Sequence, residues 1–322
     1  MIKITITENE EKQRLDRFLK KYLRNAPLSY IYKLIRKNVK VNGKRVSQET
    51  ELLKGDELAL YISEEEASSY FAVKKQGTAK RQFKIAYEDE NVLIAEKPLG
   101  LLTHGTAEEK KDTLANQVIG YLVEKGDYVP RRDKTFTPSP VNRLDRNTTG
   151  MVIFAKTYPA ARVLTRMIRE KGFVRKYYLT VVYGHLEKEL HLVDRMEKDS
   201  RTNQVRVLPQ TAEEGKVMET VARPLQKLGN CTLVEVELVT GRSHQIRAHL
   251  GKAGYPVIGD EKYGNPRFNR TVKERFGLST QFLHAYRLCF DEAPEPLENL
   301  KGKEVRSELP PLLQKMKDGL QK

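Results

Sequence analysis

Residues 142–155 read Asn-Arg-Leu-Asp-Arg-Asn-Thr-Thr-Gly-Met-Val-Ile-Phe-Ala. A polar stretch, Asn142–Gly150, runs directly into an apolar one, Met151–Ala155, and the apolar part reads as a β-strand. Working outward, four more strand-like runs appear: Val92–Ala95, Tyr178–Val182, Leu233–Val239 and Phe282–Phe290. Helical stretches fall around 112–124 and 159–171. Strands and helices mix without a regular βαβ alternation. That predicts an α+β fold whose sheet is mixed and largely antiparallel. No internal repeat of fixed period is present.

A chain of 322 residues predicts two domains. The first is expected over residues 1–63. Leu15, Phe18, Leu19, Tyr22 and Leu23 share one helical face. Pro27 breaks the pattern, and Ser29 reads as the N-cap of a second helix carrying Ile31, Leu34 and Ile35. Val39–Val46 reads as two short strands around Asn42-Gly43. Lys54-Gly55-Asp56 marks a turn before a strand over 57–62. Residues 64–82 carry charge blocks and small residues without periodicity, as a linker does. The second domain is expected over 83–322.

Net charge is +15, and residues 12–46 alone hold twelve Lys/Arg against one acid, Asp16. That segment is either a solvated basic surface or a polyanion contact. The order of helix, basic helix, Asn-Gly hairpin and Gly-Asp turn resembles the alpha-L RNA-binding domain of a small-subunit ribosomal protein and several RNA enzymes. The resemblance implies that Lys33, Arg36, Lys37, Lys40, Lys44 and Arg45 lie on RNA phosphates, tethering without reading sequence.

Several chemistries drop out. Gly100–Gly105 has phosphate-loop glycine spacing but lacks the following Lys-Ser/Thr, and no Gly-x-Gly-x-x-Gly occurs. The six histidines are scattered, no Cys-x-x-Cys exists, and no metal is expected. Cys231 and Cys289 sit in apolar strand-like runs as core residues, which suits a reducing compartment. No run of eighteen apolar residues and no secretory h-region are present, so a cytoplasmic, non-membrane protein is expected.

Three polar clusters remain, each at a strand end: Glu96–His104, Asn142–Gly150 and Thr240–His249. Sites are commonly built there, because rigid elements hold the loops. Together they offer one carboxylate, Asp145, among Arg143, Arg146, Arg242 and Arg247. One acid with an arginine partner suits attack at a sugar carbon and suits a metal nuclease poorly.

The segment 142–150 resembles the His-Arg-Leu-Asp-x-x-Thr-Ser-Gly signature of the RluA-type pseudouridine synthases. Leu238–Arg247 is similar to that family's Thr-Gly-Arg-x-His-Gln-Ile-Arg motif, Lys97-Pro98-x-Gly100 to its opening motif, and Lys176-Tyr-Tyr178 to its Lys-x-Tyr strand. Gly254–Gly264 matches a further block. The motifs come in family order over roughly 85–290.

The resemblance implies isomerisation of uridine to pseudouridine in RNA, most often large-subunit ribosomal RNA, with no cofactor and no required protein partner. It makes Asp145, Tyr178 and Arg247 catalytic. Arg143, Arg146, Lys97, Arg242, His244 and Gln245 are implied to bind RNA or substrate. Asn142 stands where the family has His. Asn hydrogen-bonds but does not titrate near neutral pH, which makes the position structural rather than a proton shuttle. The competing readings are a non-catalytic ribosome-assembly factor, a tRNA-directed synthase, and a glycoside hydrolase. The hydrolase would need a second carboxylate across from Asp145.

Overall fold

Thr149–Ala155 is a strand buried at every position, which only a central strand covered on both faces permits. The computed structural model describes residues 1–70, 80–106, 109–130, 135–199 and 204–321. Around that strand it places two cores, one near the N-terminus and one spread over a large sheet.

The N-terminal elements are β1 (Ile2–Thr5), β2 (Gln13–Arg14), α1 (Leu15–Tyr22), α2 (Leu28–Asn38), β3 (Val39–Val41), β4 (Glu51–Leu52), β5 (Glu57–Leu60) and α3 (Glu64–Ser69). β5 lies between β1 and β3, antiparallel to both. The predicted apolar face of α1 is buried, and Phe18 and Leu19 meet Ile31, Leu34 and Ile35 of α2 in one core.

Three expectations are corrected here. Helix α2 starts at Leu28 after Pro27, so Ser29 lies inside the first turn and caps nothing. Proline fixes an extended entry to the helix without a side-chain cap. Second, Val39–Val46 is not a two-stranded hairpin. Beyond the Asn42-Gly43 turn only Lys44 bridges back to Val41. The side chain of Asn42 instead accepts from Glu57 N (2.9 Å) and donates to Asp56 (2.8 Å), directing β3 onto β5. Third, the stretch read as a linker opens with α3. Ser63 caps it by accepting from Glu66 N (3.0 Å), and Ala67 reaches the N-terminal core. Ser-x-x-Glu at 63–66 is a capping signal hidden in a charge run. Residues 71–79 of that stretch lie outside the described ones.

The second part holds β6 (Lys84–Glu88), β7 (Val92–Lys97), α4 (Leu114–Lys125), β8 (Ser139–Pro140), β9 (Thr149–Ala155) and α5 (Tyr158–Arg169). There follow β10 (Val174–Tyr183), β11 (Leu190–Asp199), β12 (Gln204–Leu208), β13 (Lys216–Leu228) and β14 (Cys231–Leu238). α6 (Gln245–Lys252), α7 (Pro266–Phe276), β15 (Leu283–Phe290), β16 (Glu304–Arg306) and α8 (Pro311–Leu320) complete it. One sheet runs in the order β12-β11-β13-β14-β10-β15-β9-β7-β6, with β16 on β15 and β8 on β9. Its pairings are antiparallel except the short contact of β9 with β15. The fold is thus a mixed one with a largely antiparallel sheet.

Helices start where the sequence caps them. Thr113, Thr157 and Asn265 accept from the backbone of the third residue on, and Gly126 and Gly277 end α4 and α7 in the left-handed conformation. α4 covers one face of the sheet, with Leu114, Val118 and Leu122 against Phe154, Val152 and Val234. α5 covers the other, with Ala160, Leu164 and Met167 against Met151, Ile153 and Phe290. Cys231 and Cys289 are both buried and unbridged. No helix among the described residues is long and apolar enough to cross a membrane.

The centre is tightest at Gly150, where β9 meets β15. Its φ is +107°, and a Cβ there would collide with the backbone carbonyl of Ala285. Gly150→Ala is therefore expected to destabilise the fold by about 2–4 kcal/mol, from left-handed strain plus the clash. Urea unfolding of the purified variant measures it, and a change under about 0.5 kcal/mol, the range of an innocuous surface substitution, would refute it.

Candidate active site

The second and third polar clusters meet at one cavity, and the first packs against the second through Lys97 and Thr103. A cavity of about 240 Å³ opens between the Asp145 loop, strand β10 and the start of α6. Asp145, Arg143, Tyr178, Arg242, His244 and Arg247 all line it.

The Asp145 loop is pinned from several sides. Leu144 N donates to Thr103 Oγ1 (3.2 Å), which donates back to Leu144 O (3.0 Å). Thr148 Oγ1 accepts from Gln281 (3.2 Å), and Thr149 Oγ1 shares a hydrogen bond with His284 Nδ1 (2.8 Å). Asn142 Oδ1 accepts from Ile153 N (2.8 Å), fastening the loop's start to β9. The side chain of Asn142 therefore takes the part of a structural acceptor.

Arg247, in the first turn of α6, donates through Nη1 to Asp145 Oδ2 (3.0 Å). Its Nε and Nη2 grip both oxygens of Asp260 (2.5 and 2.9 Å). Asp260 is 1% exposed and also accepts from Lys262 N and Tyr263 N (2.9 and 3.2 Å). Burial works against the charge on Arg247, but Asp260 and Asp145 outweigh it and hold its pKa above the ordinary arginine value. A cation so fixed holds the Asp145 carboxylate in one orientation toward the cavity. Asp145 itself keeps part of its side chain, 23%, open to the cavity.

Tyr178 is 6% exposed and faces the same cavity. Burial first, and Asp145 second, push its phenol well up, so the hydroxyl keeps its proton at neutral pH. His244 adopts a left-handed backbone (φ +53°) at the N-cap of α6. Its Nδ1 lies 3.1 Å from the Tyr263 hydroxyl and its Nε2 3.8 Å from Asp145. Burial lowers its pKa, partly offset by Asp145, which favours the neutral ring.

Not every expected contact faces the cavity. Lys97 is 1% exposed, and its ammonium donates to the carbonyls of Pro98 (3.1 Å), Leu101 (2.7 Å) and Arg146 (2.8 Å). Burial drops its pKa to about 7. It staples the first cluster to the second and is unavailable to RNA. Gln245 borders the cavity, but its amide is fully engaged. It accepts from Thr240 Oγ1 and Arg242 N and donates to Glu219 O and Thr220 Oγ1. Saturated in this way, it shapes the loop and offers nothing to a ligand. Arg146 points away and pairs with Glu109 (2.8 Å). Arg143 and Arg242 are exposed at the rim.

A second hollow shares Gly241, Arg242 and Ser243 with the cavity and adds Lys198, Arg206 and Lys216. In the N-terminal part, Lys33, Arg36, Lys37, Lys44 and Arg45 are exposed and Lys40 is half-buried. None of the six lines the cavity.

Sequence reasoning placed Asp260 and Lys176 within matched motifs but gave neither a role. An acid directly after the apolar run Val257-Ile258-Gly259 was the available signal for the first. The second stands two residues before Tyr178 and so on the same strand face. Asp145 is the sole acid lining the cavity among the described residues, so a paired-carboxylate hydrolase has no second group to use.

A family model described as RNA pseudouridylate synthase matches residues 91–252. The ribosomal large subunit pseudouridine synthase C of Vibrio cholerae is 35% identical over 294 residues, covering 89% of this chain and 88% of that protein. Its Escherichia coli K12 namesake gives the same identity and the same coverage. Among solved structures, human RNA pseudouridylate synthase domain containing 4 superposes with a TM-score of 0.56 at 19% identity, over 74% of this chain and 92% of that one. Human RNA pseudouridylate synthase domain containing 1 does so at 0.52 and 22%, over 77% and 97%. These two share the fold.

The grip of Asp260 on Arg247 generates a prediction. Asp260→Ala leaves a buried guanidinium short of a carboxylate, so stability should fall by about 3–5 kcal/mol. Denaturant titration beside Glu261→Ala, an exposed neighbour, checks it; equal stabilities would show that the pair contributes nothing.

Proposed function

The chain belongs to the RNA pseudouridylate synthase family, and we propose that the RNA it modifies is that of the large ribosomal subunit, in the cytoplasm. The enzyme isomerises uridine to pseudouridine. Large-subunit specificity rests on the names of the Vibrio and Escherichia relatives and on the length over which they match.

The observation that carries the mechanism is the row Asp145–Arg247–Asp260 at one wall of a one-base cavity. In this proposal Asp145 is the essential carboxylate that attacks the flipped-out nucleoside and lets the glycosidic bond break. Extraction of the base from its stack is required for chemistry upon it. Tyr178 packs on the uracil, and its hydroxyl is the candidate for handling the proton on carbon 5. Arg247 pairs with Asp145 and aims it. Arg143 and Arg242 at the rim hold phosphates flanking the target, and His244 borders the sugar. The hollow with Lys198, Arg206 and Lys216 extends that positive surface along the strand.

Residues 1–63 act in this reading as an alpha-L module joined through 64–82 to a catalytic part over 83–322. The exposed face of α2 supports it, since Lys33, Arg36 and Lys37 all point away from the buried stripe Ile31-Leu34-Ile35. Cations so placed bind phosphates in a salt-dependent, sequence-blind manner.

Two experiments test these roles. Asp145→Asn should lower turnover by roughly 10⁴-fold or more, as loss of a nucleophile does, with RNA affinity nearly unchanged; full activity in pseudouridine mapping would remove Asp145 from the mechanism. Replacing Lys33, Arg36 and Lys37 together by Gln should weaken binding and flatten the log–log salt slope by about 0.9 for each phosphate no longer neutralised. An unaltered slope would place the tether elsewhere.

A further inference from the structure

Two lysines with strongly buried side chains in the sheet region have partners. Lys97 gives its ammonium to three carbonyls. Lys156, its side chain 6% exposed, pairs with Glu88 and Asp127 (3.0 and 2.6 Å). Lys176 is the exception. It is 7% exposed on β10, and no hydrogen bond or ion pair joins its ammonium to a described residue. It lines the cavity that holds Asp145, Tyr178 and Arg247. Burial is the one influence on its pKa, which is lowered; no carboxylate offsets it. An ammonium largely withdrawn from water, with no counter-charge beside it, is costly. Such a group is retained where a ligand brings the missing charge.

We propose that Lys176 is a catalytic residue whose ammonium binds the uracil anion formed when the glycosidic bond breaks. The inference rests on the isomerase reading of this site and deepens it.

The charges support the assignment. Arg247 stands between two carboxylates, so that trio carries one net negative charge, which Lys176 offsets. When the bond between C1′ and N1 breaks, its electron pair leaves on the uracil. Asp145 either bonds to C1′ as an ester or takes the proton from C2′. Both routes leave Asp145 uncharged and move one negative charge onto the base. Arg247 is then matched by Asp260 alone, and the uracil anion has Lys176 as its free cation. Carbon 5 next bonds to C1′, and Asp145 leaves as a carboxylate or returns its proton. Loss of the proton on carbon 5 and gain of one at N1 complete an isomerisation that needs no co-reactant. Position agrees with this role. Lys176 and Tyr178 are two apart on one strand, so both project into the cavity from the same face. The base resting on Tyr178 thus meets the ammonium at its edge. Preorganised charge aimed at a developing anion is the largest common source of rate enhancement.

The test uses the full chain and an RNA that the wild-type enzyme converts, so turnover itself is established and the comparison reads Lys176 alone. Lys176→Met, Lys176→Gln and Lys176→Arg are assayed for single-turnover rate at saturating enzyme, RNA affinity, salt slope and pH profile. Removing the charge should slow the single-turnover step by about 10²–10³-fold, the cost of losing one anion-stabilising group. Affinity should stay within about threefold of wild type and the salt slope should not change. Lys176→Arg should keep more activity than either neutral variant. It should also shift the alkaline fall of the rate to higher pH, which a structural role would not do. Lys176→Gln carries the test if the methionine variant folds poorly. A neutral variant with a single-turnover rate within threefold of wild type overturns the proposal. So does a variant with an unchanged saturating rate, weaker binding and a salt slope lower by about 0.9, because that result marks a phosphate contact.

Discussion

One guanidinium holds the site together. Arg247 is fixed at one edge by Asp260, which lies deeper in the protein, and presents its other edge to Asp145. A buried arginine is tolerated because two carboxylates meet it, and the deeper carboxylate because backbone amides of Lys262 and Tyr263 complete its shell. The result is a graded arrangement. Asp260 is fully enclosed, Arg247 nearly so, and Asp145 keeps an open oxygen toward the cavity.

The sheet supplies the frame for that gradient. β9 delivers the Asp145 loop, β10 delivers Lys176 and Tyr178, and β14 leads into the loop that starts α6. β15 lies between β10 and β9, so the strands on either side of it are the ones that bring side chains to the cavity. A register shift between Tyr177 and Tyr178 in the β10–β15 pairing leaves Tyr286 unpaired there. Bulges of this kind increase local twist beside active sites. Gln245, with all its hydrogen-bonding capacity spent on the loop 240–242 and strand β13, fixes where α6 begins.

Much of this was legible in the sequence, for identifiable reasons. Apolar runs such as Met151–Ala155 show central strands directly, and capping residues such as Thr113 show helix starts. Polar clusters at strand ends drew attention to Asp145 and Arg247, but only the family resemblance singled them out within those clusters. The outer strands were not. β11 and β12 carry charged residues on an exposed edge, so Leu190–Asp199 lacks a clean alternation. β13 includes Pro224, with an irregularity of pairing beside it. The roles of Lys97 and Gln245 were misread for one physical reason. A polar side chain in a functional motif looks the same whether it meets a ligand or the protein's own backbone, and burial decides between the two. Asp260 was given no role because its partner lies thirteen residues away, across a turn that no periodicity announces.

Lys97 has a consequence for how this site tolerates change in chain length. Its ammonium joins carbonyls of residues 98 and 101 to the carbonyl of residue 146, directly after Asp145. The two loops are therefore held as a single part. One added residue between Pro98 and Leu101 would pull on the peptide after Asp145. The tolerance of this segment to insertions and deletions is set by an ammonium that never meets the substrate.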